Sequence, residues 1–486
     1  MRLSGRRAAL TAATGITLGG LLSCSPGPRL PQRLLLVTVD TLRADRLGCY
    51  GQTLPLTPRL DALAAEGALL EQVIVPVPRT TQSTASLLTG LHPVHHGARG
   101  LFSRMPTGGF RTLAEILAED GFKTAAFTSN LFLRPGQGFE RGFALYDNPQ
   151  GRWERNGAER TVEDALDWVR GQAGRRWFLW VHLLDPHWSY EPAPPFDRFA
   201  GGLREEDSRL FEEVAHGGVS KGEVVFGHAL AGPECDHLRL LYDGEVAATD
   251  AAIGSLVGGL RGQGLLEGSL VVITADHGES LGEHGYKFAH GEYLYDDTLR
   301  VPALVLAPGL IPAGLRLRRL VRNFDLMPTI LDLMGLKPPA GLDGISRARE
   351  LRGGPETDEA REIYLESDRQ FLLQGNPKRF LPGYDGSWRA LRTERWKMIQ
   401  IPRPGGDLIE LYDLASDPGE EHDLSHSLPE NAGTAERLAS RLAQWQAMAS
   451  AREPSAVNPP PPDNEQLRLL RSLGYVEAAP RRDAGN

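Results

Sequence analysis

A chain of 486 residues is long enough for two or three domains, or for one large domain and a smaller one. Hydrophobic residues at 41% and charged residues at 24% make an ordinary globular composition, neither disordered nor fibrous. A formal net charge of −9 with no basic run argues against a nucleic-acid partner, but not against an anionic substrate, because a bound cation reverses the field locally.

The N-terminus reads as a targeting segment. MRLSGRR is basic, Ala8 to Leu22 is uncharged and mostly small or apolar, and LLSC closes the run at Cys24. This describes an export signal over 1–23, too short to span a bilayer comfortably. LLSC resembles the bacterial lipoprotein box. The expectation is an exported protein with a lipidated Cys24, a tether over 24–32 and a membrane-anchored place in the bacterial cell envelope. Cys49 and Cys235 lie far apart, so a disulfide is not implied.

RLLLVTVD, ending at Asp40, has the pattern of a buried parallel strand that delivers a carboxylate at its C-terminal end. PRLDALAAEGALL reads as a helix, RTLAEILAEDG as a helix and KTAAFTSN as a strand. RRWFLWVHLLDPHWSY is a further strand ending in polar residues. The segment from Leu238 to Gly264 is a long helix, SLVVITADHGE a third buried strand and VPALVLAPG a fourth. Strands alternating with helices predict an α/β domain over 33–350, a large, mostly parallel sheet with helices on both faces. Short strand-like runs (EIYLES, SWRALRT, RWKMIQI, LIELYDL) and the helix AERLASRLAQWQAMAS predict a small antiparallel α+β domain over 351–450. A Pro-rich spacer and a terminal helix follow over 451–486.

Ligands of such sheets sit beyond the carboxyl ends of the strands. Asp40, His182, Asp185, His187, Asp276 and His277 all fall at or just after such ends. Hard carboxylate oxygens with one imidazole suit a divalent cation. Some residues have plainer readings. His95 and His96 suit a structural turn, His182 a satisfied core histidine. Trp188 and Tyr190 either line a leaving-group pocket or pack under a loop. The 190s to 230s look like an insertion over the site.

LLLVTVDTLRADRLGCYG, STASLLTGLHPVHHG, FLWVHLLDPHWSY, TADHGESLGEHG, TLRVPALVLAPG and ELYDLASDPGEEHDL together resemble the sulfatase family of the alkaline phosphatase superfamily, in family order over nearly the whole mature chain. The resemblance implies a mixed sheet flanked by helices with a smaller C-terminal antiparallel domain. It implies Asp40, Asp276 and His277 as ligands of one divalent cation (Ca, Mg, Mn or Zn), and Thr80, counted back from LLTG, at the nucleophile position. His187 matches the histidine on the transferred group or leaving oxygen. His290 falls near a substrate-binding lysine of many sulfatases, with Lys287 close by. A second cation on Asp185, His187 and His290 is the alternative, disfavoured by the single residue between Asp185 and His187.

The departures from the pattern carry as much information. The family shows Cys or Ser, any residue, then Pro-Ser-Arg, and oxidises the first to formylglycine. Here the segment is Thr80-Thr81-Gln82-Ser83-Thr84, so that route is closed. Thr41 replaces a second acid, and Ser129-Asn130 a Lys-x-His pair, which makes Ser129 and Asn130 candidate donors to substrate oxygens. A formylglycine hydrate can expel sulfate by collapsing to the aldehyde, whereas threonine has one hydroxyl and no such exit. Superfamily relatives with a threonine nucleophile act on phosphoesters. The expected activity is metal-dependent hydrolysis of sulfate or phosphate esters, on a small anionic ester, glycan or lipid. The alternatives are a phosphotransferase with a phospho-threonine intermediate and an inactive binding protein of the same fold. Oligomeric state is left open.

Overall fold

The computed structural model describes residues 30–100, 103–149, 157–216, 232–357, 361–367, 387–426 and 432–451. The export signal, Cys24 and the expected terminal helix lie outside them. Among the described residues no helix is long and apolar enough to cross a membrane. Among the described residues Cys49 and Cys235 form no disulfide with each other.

In chain order the strands are Arg33–Val39 (β1), Ala68–Ile74 (β2), Lys123–Thr128 (β3), Leu145–Asp147 (β4), Trp177–Leu183 (β5), Ser269–Ala275 (β6), Ser280–Leu281 (β7), Lys287–Ala289 (β8), Arg300–Leu306 (β9), Leu315–Arg322 (β10), Glu362–Glu366 (β11), Arg389–Thr393 (β12), Trp396–Ile401 (β13) and Leu408–Asp413 (β14). Eight of them form the main sheet in the order β10-β2-β9-β6-β1-β5-β3-β4. Only β9 runs against its neighbours; the other pairs are parallel. β1 and β6 are apolar and buried on both faces, which is why they occupy the centre of a sheet covered on two sides. Helices Pro58–Glu66, Gly157–Arg170 and Gly232–Gly262 pack against the sheet and one another.

The expected mixed, mostly parallel sheet is therefore present. One local expectation fails: PRLDALAAEGALL is not one helix. It stops at Glu66, and Ala68 begins β2. A side chain at Gly67 would collide with the Val305 carbonyl on β9, so this glycine lets the chain turn tightly against the sheet.

The C-terminal strands form an antiparallel meander, β11-β12-β13-β14. Alternate residues face opposite ways. Ala390, Ile399 and Tyr412 join the main core. Leu391, Met398 and Leu411 face Leu438 and Leu442 of helix Ala432–Ala451. Buried Lys397 pairs with Asp296 at 2.9 Å and with Glu420 at 2.7 Å, tying this layer to the strands beside the site.

Candidate active site

Register decides where the acids meet. Val39 pairs with Leu183 on one side and with Ala275 on the other, so β1, β5 and β6 end at one level. The next residues, Asp40 and Asp276, stand side by side and fully buried. The Asp40 amide donates to the Leu183 carbonyl at 2.9 Å, and the Asp276 amide to Val39 at 3.2 Å. Between them Thr41 takes a φ of 56°, costly for a β-branched residue. The Tyr242 hydroxyl holds that turn, donating to the Thr41 carbonyl at 2.8 Å. The chain leaves Asp276 through Gly278, where any side chain would strike the Asp297 carbonyl.

Burial, with Asp40 beside it, pushes the Asp276 carboxyl well above the ordinary carboxylate range. Two adjacent buried carboxylates repel unless a proton or a cation sits between them. Among the described residues Asp276 Oδ2 and His182 Nε2 find no hydrogen-bond partner. Ligand atoms of Asp40, His182 and Asp276 lie within 4.8 Å of one another, a group fit to hold a metal ion. His277 reaches the same place: its Nε2 is 3.5 Å from Asp40 Oδ1 and 3.6 Å from Asp276 Oδ2. Burial and the nearby His290 hold the His277 imidazole well below its usual pKa, hence neutral.

Thr80 opens the wholly buried helix Thr80–Thr89. Its Oγ1 lies 3.4 Å from His277 Nε2. Ser83, one turn on, donates to the Asp276 carbonyl, and Asn323 Nδ2 donates to the Ser83 hydroxyl at 2.9 Å and to its carbonyl at 3.0 Å. The helix start is thus clamped to the end of β6, and its amide dipole end faces the acids.

Three imidazoles gather beside Thr80. The His277 ring centroid lies 4.3 Å from that of His290, which lies 5.3 Å from that of His187. Each donates its Nδ1 proton: His277 to the Gly278 carbonyl at 2.9 Å, His187 to the Trp188 carbonyl at 2.7 Å, His290 to Glu279 Oε1 at 2.9 Å. Each of these bonds fixes the orientation of its ring.

Other expected site residues fall elsewhere. Ser129 was read as a donor to substrate oxygens; its hydroxyl instead donates to the His182 carbonyl at 2.8 Å and accepts from the Leu184 amide at 2.9 Å, closing the end of β5. Asn130, read the same way, donates from Nδ2 to Asp40 Oδ2 and accepts the Phe132 amide at 2.7 Å, so it steadies a site carboxylate. Asp185 Oδ2 accepts from the Ala158 amide at 3.3 Å, facing a helix start. Lys287 lies half-buried on β8, three residues before His290. Trp188 and Tyr190 are buried against Phe211 of helix Glu205–His216, packing under the insertion. His96 is the structural residue expected, bonded to Ser86 at 3.0 Å.

Sequence reading passed over Glu279 and Arg79, and gave His182 the plainer reading of a core histidine. His182 pairs in register with Thr38, a neighbourhood visible only once strand order is known. Glu279 was legible only as the tail of TADHGE. Arg79, the residue before Thr80, is buried against Glu292 at 2.5 Å.

The fold, a mixed eight-stranded sheet flanked by helices with its candidate site at the strand ends, is that of the alkaline phosphatase superfamily. The model described as "Sulfatase" matches residues 32–336, and one described as "N-sulphoglucosamine sulphohydrolase, C-terminal" matches 282–448. The chain belongs to the sulfatase family and is a sulfatase-like ester hydrolase. It is 27% identical over 428 residues to an ulvan-active sulfatase of Formosa agariphila, covering 82% of this chain and 77% of that one. It is 28% identical over 459 residues to human arylsulfatase A, covering 81% and 83%. The phosphonate monoester hydrolase of Agrobacterium radiobacter shares the fold with a TM-score of 0.70, at 22% identity over 86% of this chain and 96% of that one.

Proposed function

We propose that the protein hydrolyses phosphate esters, with Thr80 as nucleophile and without formylglycine. The observation that carries this reading is Thr80 Oγ1 at 3.4 Å from His277 Nε2, at the start of a buried helix, with no oxidisable side chain at its position. Asp40, Asp276 and His277 would hold one divalent cation, whose contribution is to lower the pKa of the Thr80 hydroxyl and to offset charge on the transferred group. Thr80 attacks phosphorus in line. The amides at the helix start donate to the equatorial oxygens. An imidazole, His290 or His187, protonates the leaving oxygen, and water then cleaves the phospho-threonine.

Phosphorus is favoured over sulfur because threonine has no second hydroxyl with which to expel sulfate, while water attacks a phospho-threonine directly. The kinship with a phosphonate monoester hydrolase fold and with an ulvan-active sulfatase keeps both ester types, and a glycan leaving group, in the test. A second cation on His187 and His290 draws little support, since Asp185 faces a helix start. Export and a lipid anchor at Cys24 belong to the same reading, on the strength of LLSC.

The test is turnover of nitrophenyl phosphate, phosphonate, phosphodiester and sulfate with Ca, Mg, Mn and Zn, against Thr80→Ala. Phospho-substrates should turn over faster than sulfate, and Thr80→Ala should abolish it. Adding glycerol separates hydrolysis from transfer, because a transferase yields the glycerol phosphate. Absence of turnover above Thr80→Ala throughout the panel would establish an inactive binding protein.

A further inference from the structure

Helix Thr80–Thr89 begins without the usual cap: Arg79, at its N-cap, makes no side-chain capping bond. A Ser, Thr, Asp or Asn at that position ordinarily holds the first turn in place. The turn that carries Thr80 is held through Ser83 instead. The Ser83 amide donates to the Arg79 carbonyl at 3.0 Å, closing that turn. The Ser83 hydroxyl donates outward to the Asp276 carbonyl rather than back along its own helix. Asn323 grips the same residue twice, at the hydroxyl (2.9 Å) and at the carbonyl (3.0 Å). The direction of these bonds is fixed, because the Ser83 and Asp276 carbonyls can only accept. Nδ2 must therefore face Ser83, and the hydroxyl proton must go to Asp276. Asn323 is itself held. It follows directly on β10, in a turn where the Asp325 carboxylate accepts from the Arg322 amide at 3.0 Å and the Ile345 amide at 2.8 Å, and pairs with the Arg322 guanidinium at 2.8 Å. Ser83, Asn323 and Asp325 are all buried. Two strand ends thus grip the helix from different places in the sheet, β6 through the Asp276 carbonyl and β10 through Asn323.

The geometry points to Asn323 as a positioning residue of the reaction: through Ser83 it fixes the first turn of the helix, and with that turn the place of the Thr80 hydroxyl. This rests on the hydrolase reading above. In the step concerned, the Thr80 Oγ1–phosphorus bond forms as the phosphorus–leaving-oxygen bond breaks. The leaving oxygen keeps that electron pair and gains, in net, the proton that the hydroxyl loses. In-line attack is sensitive to the placement of the attacking oxygen, and an error of about 1 Å can cost about 10²-fold in rate.

Wild type, Asn323→Ala, Asn323→Leu, Ser83→Ala and the Asn323→Ala/Ser83→Ala double variant are assayed as metal-loaded full-length enzyme on nitrophenyl phosphate, in single turnovers with saturating enzyme in excess. The rate constant of such a turnover does not depend on how much of the protein is folded, so a merely structural role leaves it unmoved. Asn323→Ala and Ser83→Ala should each lower it by between about tenfold and about 10²-fold, with steady-state KM little changed. Asn323→Leu, which fills the space but donates nothing, should lose as much as Asn323→Ala. The loss in the double variant should fall well short of the product of the two single losses. Cation affinity, measured by titration calorimetry with Mn, should stay within a few-fold of wild type. An unchanged rate constant in Asn323→Leu, or multiplicative losses in the double variant, overturns the assignment of Asn323. So does a loss of rate matched by a loss of cation affinity, which would mean that the clamp serves Asp276 and not Thr80. If Asn323→Ala fails to fold, Asn323→Leu and Ser83→Ala decide in the same way. A wild type inactive on every ester of the panel above overturns the hydrolase reading and this inference with it.

Discussion

Thr38 Oγ1 lies 2.8 Å from His182 Nδ1, and it already accepts the Trp180 indole N–H at 2.9 Å. A hydroxyl that accepts from the indole can still donate its own proton to Nδ1, and that arrangement leaves the remaining ring proton on Nε2. Burial pushes the His182 pKa down to about 4, so the ring is neutral at pH 7. Its Nε2–H faces Asp40 Oδ2 at 3.8 Å. In that tautomer His182 would support the carboxylates, and under the proposed function ligation would fall to His277. His182→Gln should weaken cation binding by about tenfold, the size seen for residues that orient ligands. His277→Ala, which removes a ligand, should cost more. Titration calorimetry with Mn or Zn measures both, and a larger loss for His182→Gln would reverse the two roles.

Thr80 offers a direct chemical test. Thr80→Ala should lower kcat on a nitrophenyl phosphate by about 10³-fold or more, while cation affinity changes far less, because Asp40 and Asp276 remain. Thr80→Ser keeps a hydroxyl and should retain much of the rate. Rapid acid quench followed by peptide mass analysis should find phosphate on Thr80 in wild type. Phosphate on no residue, with turnover intact, would mean that water attacks the substrate directly.

Asn130 donates to Asp40 Oδ2 from a backbone fixed by its own bond to Phe132. Asn130→Ala should free that carboxylate and lower cation affinity by about tenfold. Asn130→Asp loses the same bond but adds negative charge beside the cation, so its affinity should fall less than that of Asn130→Ala. If the two variants bind the cation equally well and lose only substrate affinity, Asn130 serves the substrate instead.

Much of the fold was legible because its central strands are continuous apolar runs that end in acids. RLLLVTVD and SLVVITADH announced both the sheet and the carboxylates, and period-2 patterning exposed the C-terminal meander. β2 escaped because ALLEQVI continues the apolar spacing of the preceding helix, and only Gly67, pressed on Val305, marks the break. Of the site, the strand-end residues could be read from position. Roles set by cross-strand neighbours could not. Ser129 and Asn130 looked like substrate donors in sequence, yet their bonds go to β5 and Asp40. Glu279 and His182 acquire meaning only when strand order places them beside His290 and Thr38.

His92 and His96 should weaken the fold in acid. Both are buried, and burial outweighs the nearby Asp343 carboxylate. His92 donates from Nε2 to the Tyr364 carbonyl at 3.0 Å and accepts the Val94 amide at 3.2 Å; His96 accepts the Ala98 amide at 3.1 Å. Burial pushes their pKa values from 6.5 down to about 4 and about 3. Between those values and 6.5 the unfolded chain binds protons that the folded chain refuses. Stability is therefore full above pH 6.5 and falls as pH drops through that window, by up to about 2 kcal/mol per residue at pH 5. Melting temperature followed from pH 7.5 to 5 in chelator should fall steadily. His96→Asn should be less stable than wild type at pH 7.5, through loss of packing and of the Ser86 bond, but it carries no such proton debt. The gap between the two proteins should narrow toward pH 5. A gap that stays constant across the range would mean that His96 is protonated in the folded protein, and that the acid limit lies in other groups.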